Sequence, residues 1–117
     1  MVDKVTLYGI PNCDTIKKAK AWLSNNNVEF KFHDYRKQGL DSDQLQSMAS
    51  ALGWEAMLNR RGTTWRALPS TVKEHVDLEL AIHLMLDNPA IIKRPILAKN
   101  DQLYLGFSAP QYQEIFG

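Results

Sequence analysis

Cysteine is nearly absent from this chain, which carries a single one, Cys13, among 117 residues. One thiol excludes an internal disulfide, a Cys-x-x-Cys redox motif and a cysteine-based zinc cluster. We therefore expect Cys13 to remain reduced unless a chemical step or oxidative stress acts on it. The three histidines, His33, His75 and His83, are not spaced as metal ligands. We expect no metal site and no bound cofactor.

An excess of charge and a long apolar run are also missing. The 14 Lys and Arg residues nearly balance the 13 Asp and Glu residues, for a formal net charge of +1. Composition therefore does not favour nucleic acid, a membrane surface or an acidic partner. No apolar run approaches the ~18 residues that span a bilayer, and "MVDKVTLYG" lacks the apolar core and cleavage site of a signal peptide. We expect a cytoplasmic protein that binds neither nucleic acid nor a membrane.

The sequence as a whole predicts a single domain that spans residues 1–117. No repeat, low-complexity tract or linker interrupts it, and its length suits a single core. Apolar and polar residues alternate at 4–8 and at 28–35, as they do in strands. Between these stretches lie apolar residues at helical spacing: Ile16, Ala19, Trp22 and Leu23. A strand, a helix and a strand with short connections predict a βαβ unit with parallel strands.

A helical insert is predicted at about residues 40–90. Asp41 and Gln44 have the spacing of a capping box ahead of an apolar helix face. The polar stretch 59–70 is predicted as an arginine-rich loop. Residues 71–87 carry apolar residues four apart, which predicts one further helix.

The C-terminal part predicts a β-hairpin followed by helix. Residues 95–98 form a short apolar run, a turn follows, and 102–107 alternates again. The tail 109–117 can form one helical turn or more. The order β-α-β, helical insert, β-β, helix matches a thioredoxin-like fold. That is an α/β domain with a four-stranded mixed sheet and flanking helices.

Cys13 lies where the first strand pattern gives way to the first helix pattern. Nucleophilic attack requires the thiolate, and a free cysteine has a pKa near ~8.5. A helix N-terminus favours an anion, Asn12 is a suitable capping residue, and Lys17 falls on the same helix face. These features favour a reactive thiol, with Asn12 and Lys17 stabilising the thiolate. A free cysteine is also often a small buried apolar residue, and that alternative stays open.

Arginine is concentrated in the loop at 59–70 and before Pro95. Arg60 and Arg61 lie in the loop, and Arg94 precedes Pro95 at a strand start. The planar guanidinium group suits a carboxylate or another oxyanion, which makes these arginines candidate anion-binding residues. The alternative is that each is a solvated surface charge. The Arg94–Pro95 bond is also a candidate cis peptide, although only ~5% of X-Pro bonds are cis in general.

Four stretches carry a resemblance to a known family: "YGIPNCDTIKKAKAWL", "NRRGTTWR", "NPAIIKRPIL" and "LYLGF". In this order they resemble the arsenate-reductase-like (ArsC/Spx) family of the thioredoxin superfamily, and its small bacterial YffB-like branch in particular. The resemblance implies Cys13 as nucleophile, a cis Pro95 facing it in the binding site, and Lys17 where the glutathione-linked arsenate reductases have an arginine. It also implies oxyanion-binding arginines: Arg94, and Arg61 or its neighbour Arg60. Those enzymes recycle the cysteine with glutathione and glutaredoxin.

The chain departs from these relatives at positions that bear on the reaction. Gly9 stands where the arsenate reductases have a histidine, and the final hairpin lacks their third arginine. A dianionic oxyanion would lose donors that it needs in the transition state. In comparison with Spx, Ile16 replaces the second cysteine of a Cys-x-x-Cys switch, which excludes a dithiol switch within this chain.

We therefore predict a glutathione-dependent monothiol reductase. The Cys13 thiolate would form a mixed disulfide with its substrate, and an external thiol would resolve it. Glutathione is the expected co-substrate, glutaredoxin an expected partner, and a small-molecule or protein disulfide the expected substrate of a monomeric protein. Two alternatives remain: a true arsenate reductase, and a non-enzymatic Spx-like regulator that binds a protein such as RNA polymerase.

Overall fold

A computed structural model of the protein describes residues 3–11 and 13–117. The chain divides into two compact units. One joins Met1–Tyr35 to Arg94–Gly117, and the other is the intervening Arg36–Lys93. The second unit is thus an insertion in the first, and the helical insert predicted at about 40–90 falls within it. That the whole chain acts as a single domain stays a prediction.

The first unit contains a four-stranded mixed sheet. Its strands are β1 (Val5–Gly9), β2 (Lys31–Asp34), β3 (Ile96–Lys99) and β4 (Gln102–Leu105). They lie in the order β2-β1-β3-β4, with β1 and β2 parallel and the other two pairings antiparallel. This sheet confirms the thioredoxin-like fold, including the parallel βαβ unit and the C-terminal hairpin.

Helices lie between these strands, throughout the insertion and at the C-terminal end. Those of the described residues are α1 (Asp14–Asn25), α2 (Tyr35–Gln38), α3 (Ser42–Leu52), α4 (Trp54–Met57), α5 (Thr63–Arg66), α6 (Ser70–Lys73), α7 (Leu78–Asp87) and α8 (Ala109–Phe116), with a 3-10 turn at Pro89–Ile91. In this described part of the chain, no helix has the length and apolar character needed to cross a membrane.

The core of the first unit joins β1 and β3 to α1 and α8. Its buried residues are Val5, Leu7, Ala19, Leu23, Leu97 and Tyr112. Val5 and Leu7 lie on one face of β1 because side chains alternate along a strand, and Ala19 and Leu23 lie one helical turn apart. Burying one large aliphatic side chain contributes about 1.5–3 kcal/mol. This packing fixes α1 against the sheet, and with it the residue that begins the helix.

Strands β1 and β2 end at the same edge of the sheet. In their parallel register Gly9 pairs with Asp34, and each is the last residue of its strand. Cys13 follows Gly9 by four residues in the sequence, and Tyr35 directly follows Asp34. The topology therefore brings the approach to Cys13 and the start of α2 to one end of the sheet.

The insertion begins with a helix that has the predicted capping box. The Asp41 carboxylate accepts a hydrogen bond from the Gln44 N–H at 2.7 Å, and Gln44 Oε1 accepts one from the Asp41 N–H at 3.0 Å. Helices α3 and α7 contact each other, and their buried side chains include Leu45, Met48 and Met85. This apolar contact holds the two longest helices of the insertion together.

Two predictions about the insertion were wrong. Residues 59–70, predicted as a loop, contain the helical turn α5. Residues 71–87, predicted as one helix, form α6 and α7 with a break between them. Asp77 explains the break, because its carboxylate accepts a hydrogen bond from the Leu80 N–H at 2.9 Å and so caps α7 as a new helix.

Candidate thiol site

Cys13 occupies the N-cap position of α1, where its backbone is extended, with φ −113° and ψ 127°. The thiol is free and half-buried. Cys13 rather than Asn12 is therefore the capping residue, which corrects the predicted helix start. Asn12 itself lies outside the described residues, and its part in stabilising the thiolate stays a prediction. An N-cap side chain lies beside backbone N–H groups that have no partner within the helix.

The pKa of the Cys13 thiol is lowered from its ordinary value. Burial is the largest single influence and would raise this pKa, because it penalises the charged thiolate. Interactions with the backbone N–H of Ile16, with the Arg94 side chain and with the N–H of Thr15 outweigh it, and the Arg94 charge adds to them. The net result favours the thiolate, which is the nucleophilic form.

Arg94 reaches the thiol where the chain returns from the insertion. It lies two residues before β3, and hydrogen bonding and charge from its side chain are among the causes that lower the pKa of Cys13. The Arg94–Pro95 peptide is cis, as predicted, and Pro95 is buried. The side chain of Arg94 is itself half-buried, so its charge is less screened than in bulk water. That Arg94 and Pro95 take part in binding a substrate anion stays a prediction.

Lys17 lies one helical turn after Cys13. Its backbone N–H donates a hydrogen bond to the Cys13 carbonyl at 3.0 Å, and its side chain is exposed. Water and salt weaken the field of an exposed charge. The predicted stabilisation of the thiolate by the Lys17 ammonium group stays a prediction.

Arg60 and Arg61 belong to the second unit and are exposed. The Arg60 guanidinium lies 5.4 Å from the centre of the Trp65 ring, within the range of a cation–π contact. This contact orients Arg60 within the arginine-rich segment. The predicted anion-binding roles of both arginines stay predictions.

Sequence reasoning missed Tyr35, which is 0% exposed. Burial raises the pKa of Tyr35 above its ordinary range, and the phenol also interacts electrostatically with Arg94, Tyr8 and Cys13. An aromatic residue at the end of an alternating stretch is typical of a core residue, so the sequence offered no reason to single it out. The available signal was topological, because the carboxyl ends of neighbouring parallel strands meet at one edge, where sites form.

Side chains that could ligate a metal do not cluster in the part of the chain that the structure describes. Among residues 3–11 and 13–117, no three His, Cys, Asp or Glu side chains are grouped as metal ligands. The His33 ring lies 5.0 Å from the Tyr8 ring, and His75 and His83 are exposed. Elsewhere in the first unit, a cavity of about 470 Å³ is lined partly by Trp22 and Phe116, and Cys13 is not part of its lining.

Comparison with known proteins identifies the family. The model of the ArsC family matches residues 8–115. An uncharacterized protein of Haemophilus influenzae is 44% identical over 112 residues, which cover 96% of this chain and 98% of that protein. The global transcriptional regulator Spx of Streptococcus mutans is 33% identical over 106 residues, covering 89% of this chain and 77% of Spx. The solved structure of a YffB protein is similar with a TM-score of 0.92 at 40% identity, covering 97% of this chain and all of that one. This chain therefore belongs to the ArsC family of arsenate-reductase-like proteins with a thioredoxin-like fold.

Proposed function

We propose that the protein is a glutathione-dependent thiol reductase that works with one cysteine. The observation that carries this proposal is the Cys13 thiol at the start of α1, with a lowered pKa and with Arg94 beside it. A thiolate in this position can attack a disulfide, and the chain has no second cysteine to complete the exchange. An external thiol is therefore required, and glutathione is the one that the family resemblance implies.

In the first step, the Cys13 thiolate attacks the glutathione sulfur of a disulfide that joins glutathione to a second thiol. A new S–S bond forms between Cys13 and glutathione while the original S–S bond breaks. The second thiol leaves with the electron pair and takes a proton from water. Its disulfide has been reduced, and Cys13 now carries the glutathionyl group.

In the second step, the thiolate of another glutathione attacks the sulfur of the bound glutathionyl group. Oxidised glutathione forms, and Cys13 leaves as a thiolate. Thiols of lower pKa leave faster, so the lowered pKa of Cys13 assists its departure. The N–H groups of Thr15 and Ile16, together with Arg94, stabilise the charge that returns to the sulfur. Glutaredoxin is a second acceptor for the glutathionyl group.

Glutathione carries two carboxylates, which the proposed site must bind. Arg94, Lys17, and Arg61 or Arg60 are the cationic side chains that we assign to this task, and we assign Pro95 to the binding of glutathione as well. A charge-assisted hydrogen bond contributes about 1.5–3 kcal/mol. Loss of one such bond in Arg94→Ala or Arg61→Ala should weaken glutathione binding roughly tenfold to a hundredfold.

Intact-mass spectrometry tests the proposal directly. Incubation with oxidised glutathione should add one glutathionyl group per chain, glutaredoxin with glutathione should remove it, and Cys13→Ser should stay unmodified. The proposal fails if Cys13 remains unmodified under conditions in which free cysteine reacts. We further propose that the reaction takes place in the reducing cytoplasm, with the protein as a monomer.

Arsenate reduction is a second candidate, because the chain belongs to the ArsC family. Gly9 in place of a histidine, and the absence of a third arginine from the last hairpin, count against it. Glutathione-coupled arsenate and disulfide reduction should be measured side by side, with Cys13→Ser in both assays. Turnover of arsenate without turnover of the disulfide would favour the arsenate reductase over the thiol reductase.

Protein binding is a third candidate, favoured by the 33% identity to Spx. A Spx-like regulator would bind a partner such as RNA polymerase without turnover. Binding of purified RNA polymerase should be measured for the wild type and for Cys13→Ser. This measurement distinguishes the regulator from the thiol reductase. Tight binding that does not depend on Cys13, together with no glutathione chemistry, would favour the regulator.

A further inference from the structure

Helix α7 of the insertion exposes apolar side chains that the chemistry above does not use. Across the residues that the structure describes, Leu78 and Leu86 are the two large apolar side chains that are exposed, at 46% and 38%. Ile82 lies between them in the helix and is 6% exposed. Because the three residues are four apart, they form one apolar stripe along the helix. Apolar residues that are scattered singly on a surface are normal, whereas a contiguous exposed patch indicates an interaction site.

The stripe lines a groove between α7 and α3. This groove has a volume of about 290 Å³, and all the residues that line it belong to these two helices. Ser42 and Gln46, which lie one turn apart on α3, line it together with the stripe of α7. The two helices contact each other within the insertion, so the groove is a product of the packing of this unit. None of its lining residues has a role in the proposed reaction.

Charge is unevenly distributed along the insertion. Residues 41–59 and 74–92, which contain α3 and α7, have seven Asp and Glu residues and no Lys or Arg. The seven Lys and Arg residues of Arg36–Lys93 all lie outside these two stretches. The insertion is therefore neutral as a whole, while the stretches that form the groove carry only negative formal charge.

Three of the acidic residues border the groove. Glu79 lines it, Asp43 follows a lining residue of α3, and Asp87 follows a lining residue at the end of α7. All three are exposed. A symmetric contact between two copies of the chain would set this surface against itself and bring like charges together. A partner with basic residues beside an apolar face has the complementary charge, and the acidic border therefore favours such a partner over a second copy.

We propose that the groove between α3 and α7 is a docking site for an amphipathic helix of a partner protein. The apolar face of that helix packs on Leu78, Ile82 and Leu86, and Lys or Arg residues beside this face meet Glu79 and the acidic border. An amphipathic helix that lies in an apolar groove, with apolar residues at i, i+4 and i+7, is a recurrent mode of recognition. Both walls are helices, so the groove has no sheet edge to pair with an extended peptide. The inference goes beyond the proposed function, since it uses neither Cys13 nor glutathione.

Synthetic peptides test the proposal on the full chain. The probe is a fluorescein-labelled helical peptide with leucine at i, i+4 and i+7 and with lysine on both sides of this face. One matched peptide has glutamate in place of lysine, and another has the residues of the probe in an order that gives no apolar face. The lysine peptide should bind at least about tenfold more tightly than either, and added salt should weaken its binding. Equal binding of the three peptides, or binding of none, would overturn the proposal.

Paired variants locate the site of binding. Leu86→Gln retains a good helix former and should weaken binding of the lysine peptide about tenfold, whereas Ala51→Gln, at an exposed position of α3 outside the groove, should not. Glu79→Gln should weaken binding about twofold to fivefold, and Glu55→Gln, an exposed acidic residue outside the groove, should not. Equal effects within each pair would mean that the peptide binds elsewhere, and the proposal would fail.

Two measurements on the wild-type protein complete the test. Shifts of amide NMR signals caused by the lysine peptide should be concentrated in α3 and α7, and shifts confined to other elements would overturn the proposal. Sedimentation velocity should show a monomer. A dimer that Leu86→Gln dissociates would assign the groove to a second copy of the chain and overturn the proposal as well. Because no readout involves the thiol, failure of the docking site is distinguishable from failure of the thiol reductase.

Discussion

The side chain of Ile16 lies directly over the backbone of Gly9. A β-carbon added at Gly9 would come within 2.9 Å of Ile16 Cγ1 and 3.6 Å of Phe32 Cε1. Carbon atoms pack best at about 3.5–4.0 Å, so the first contact is too close. Ile16 is 1% exposed and cannot turn away into solvent. The absence of a side chain at the end of β1 is therefore what allows the start of α1 to pack against it.

Gly9→Ala should destabilise the protein by about 1–3 kcal/mol, the usual cost of overpacking a core. Ile16→Val removes the terminal methyl group that meets the new β-carbon, so the double variant should lose less than the sum of the two single variants. Urea unfolding of all four proteins would measure the coupling. Additive losses would mean that Ile16 moves aside at no cost and that the close packing is unimportant.

Arg94→Gln should raise the pKa of Cys13, because it removes both a hydrogen bond and a positive charge from the thiolate. Alkylation at neutral pH should slow accordingly, by about tenfold or more if the lost interaction is a charge-assisted hydrogen bond. Arg66→Gln, which removes an exposed arginine from the insertion, is the control and should leave the profile unchanged. Equal profiles of alkylation rate against pH for the two variants would mean that Arg94 does not act on the Cys13 thiol.

The two buried tyrosines should make the folded protein lose stability in alkaline solution. Their pKa values are raised in the folded state, so above the ordinary pKa of 10.0 the unfolded chain ionises first. The folded state then binds more protons than the unfolded state, and stability falls as pH rises. Denaturant unfolding between neutral pH and pH ~11 should show this fall in stability. The fall should be shallower in the double variant that carries both Tyr35→Phe and Tyr112→Phe. If stability fell equally with pH in the wild type and the double variant, groups other than these tyrosines would cause the alkaline sensitivity.

The capping box of α3 should contribute measurably to stability. Asp41→Ala removes the acceptor for the Gln44 N–H and should cost about 1 kcal/mol in the free energy of unfolding. Asp43→Ala is the matched control, since Asp43 is an acidic residue in the first turn of the same helix and does not cap it. Similar losses in the two variants would mean that charge near the helix start, rather than the capping hydrogen bond, is responsible.

Local sequence patterns were sufficient for most elements of the fold. Alternation identified the strands, and the spacing of Asp41 and Gln44 identified the start of α3. The break before α7 was missed because apolar residues four apart continue across it, from Val72 through Val76 to Leu80. Asp77 indicated a new helix start instead, because its capping role depends only on the residues that directly follow it.

The thiol site was predictable only in part, for a physical reason. Cys13 at a helix start follows from neighbouring residues, whereas Arg94 beside it came from the family resemblance. Tyr35 could not be found from local pattern, because its place depends on which strands pair and in what register. Pairing between strands that are far apart in the chain produces no periodic pattern in the sequence around either strand.

Tyr35 and Arg94 are the residues at which the chain leaves the first unit and returns to it. The intervening chain is thus a long loop whose two flanking residues both belong to the first unit. Bringing together the ends of a flexible loop costs conformational entropy that grows slowly with loop length. Strand pairing opposes that cost beside both ends of the loop, because Asp34 of β2 pairs with Gly9 of β1 and Ile96 of β3 pairs with Tyr8 of β1. A molecule that binds Arg94 would therefore act at the residue where the loop rejoins the first unit, and that residue also influences the Cys13 thiol.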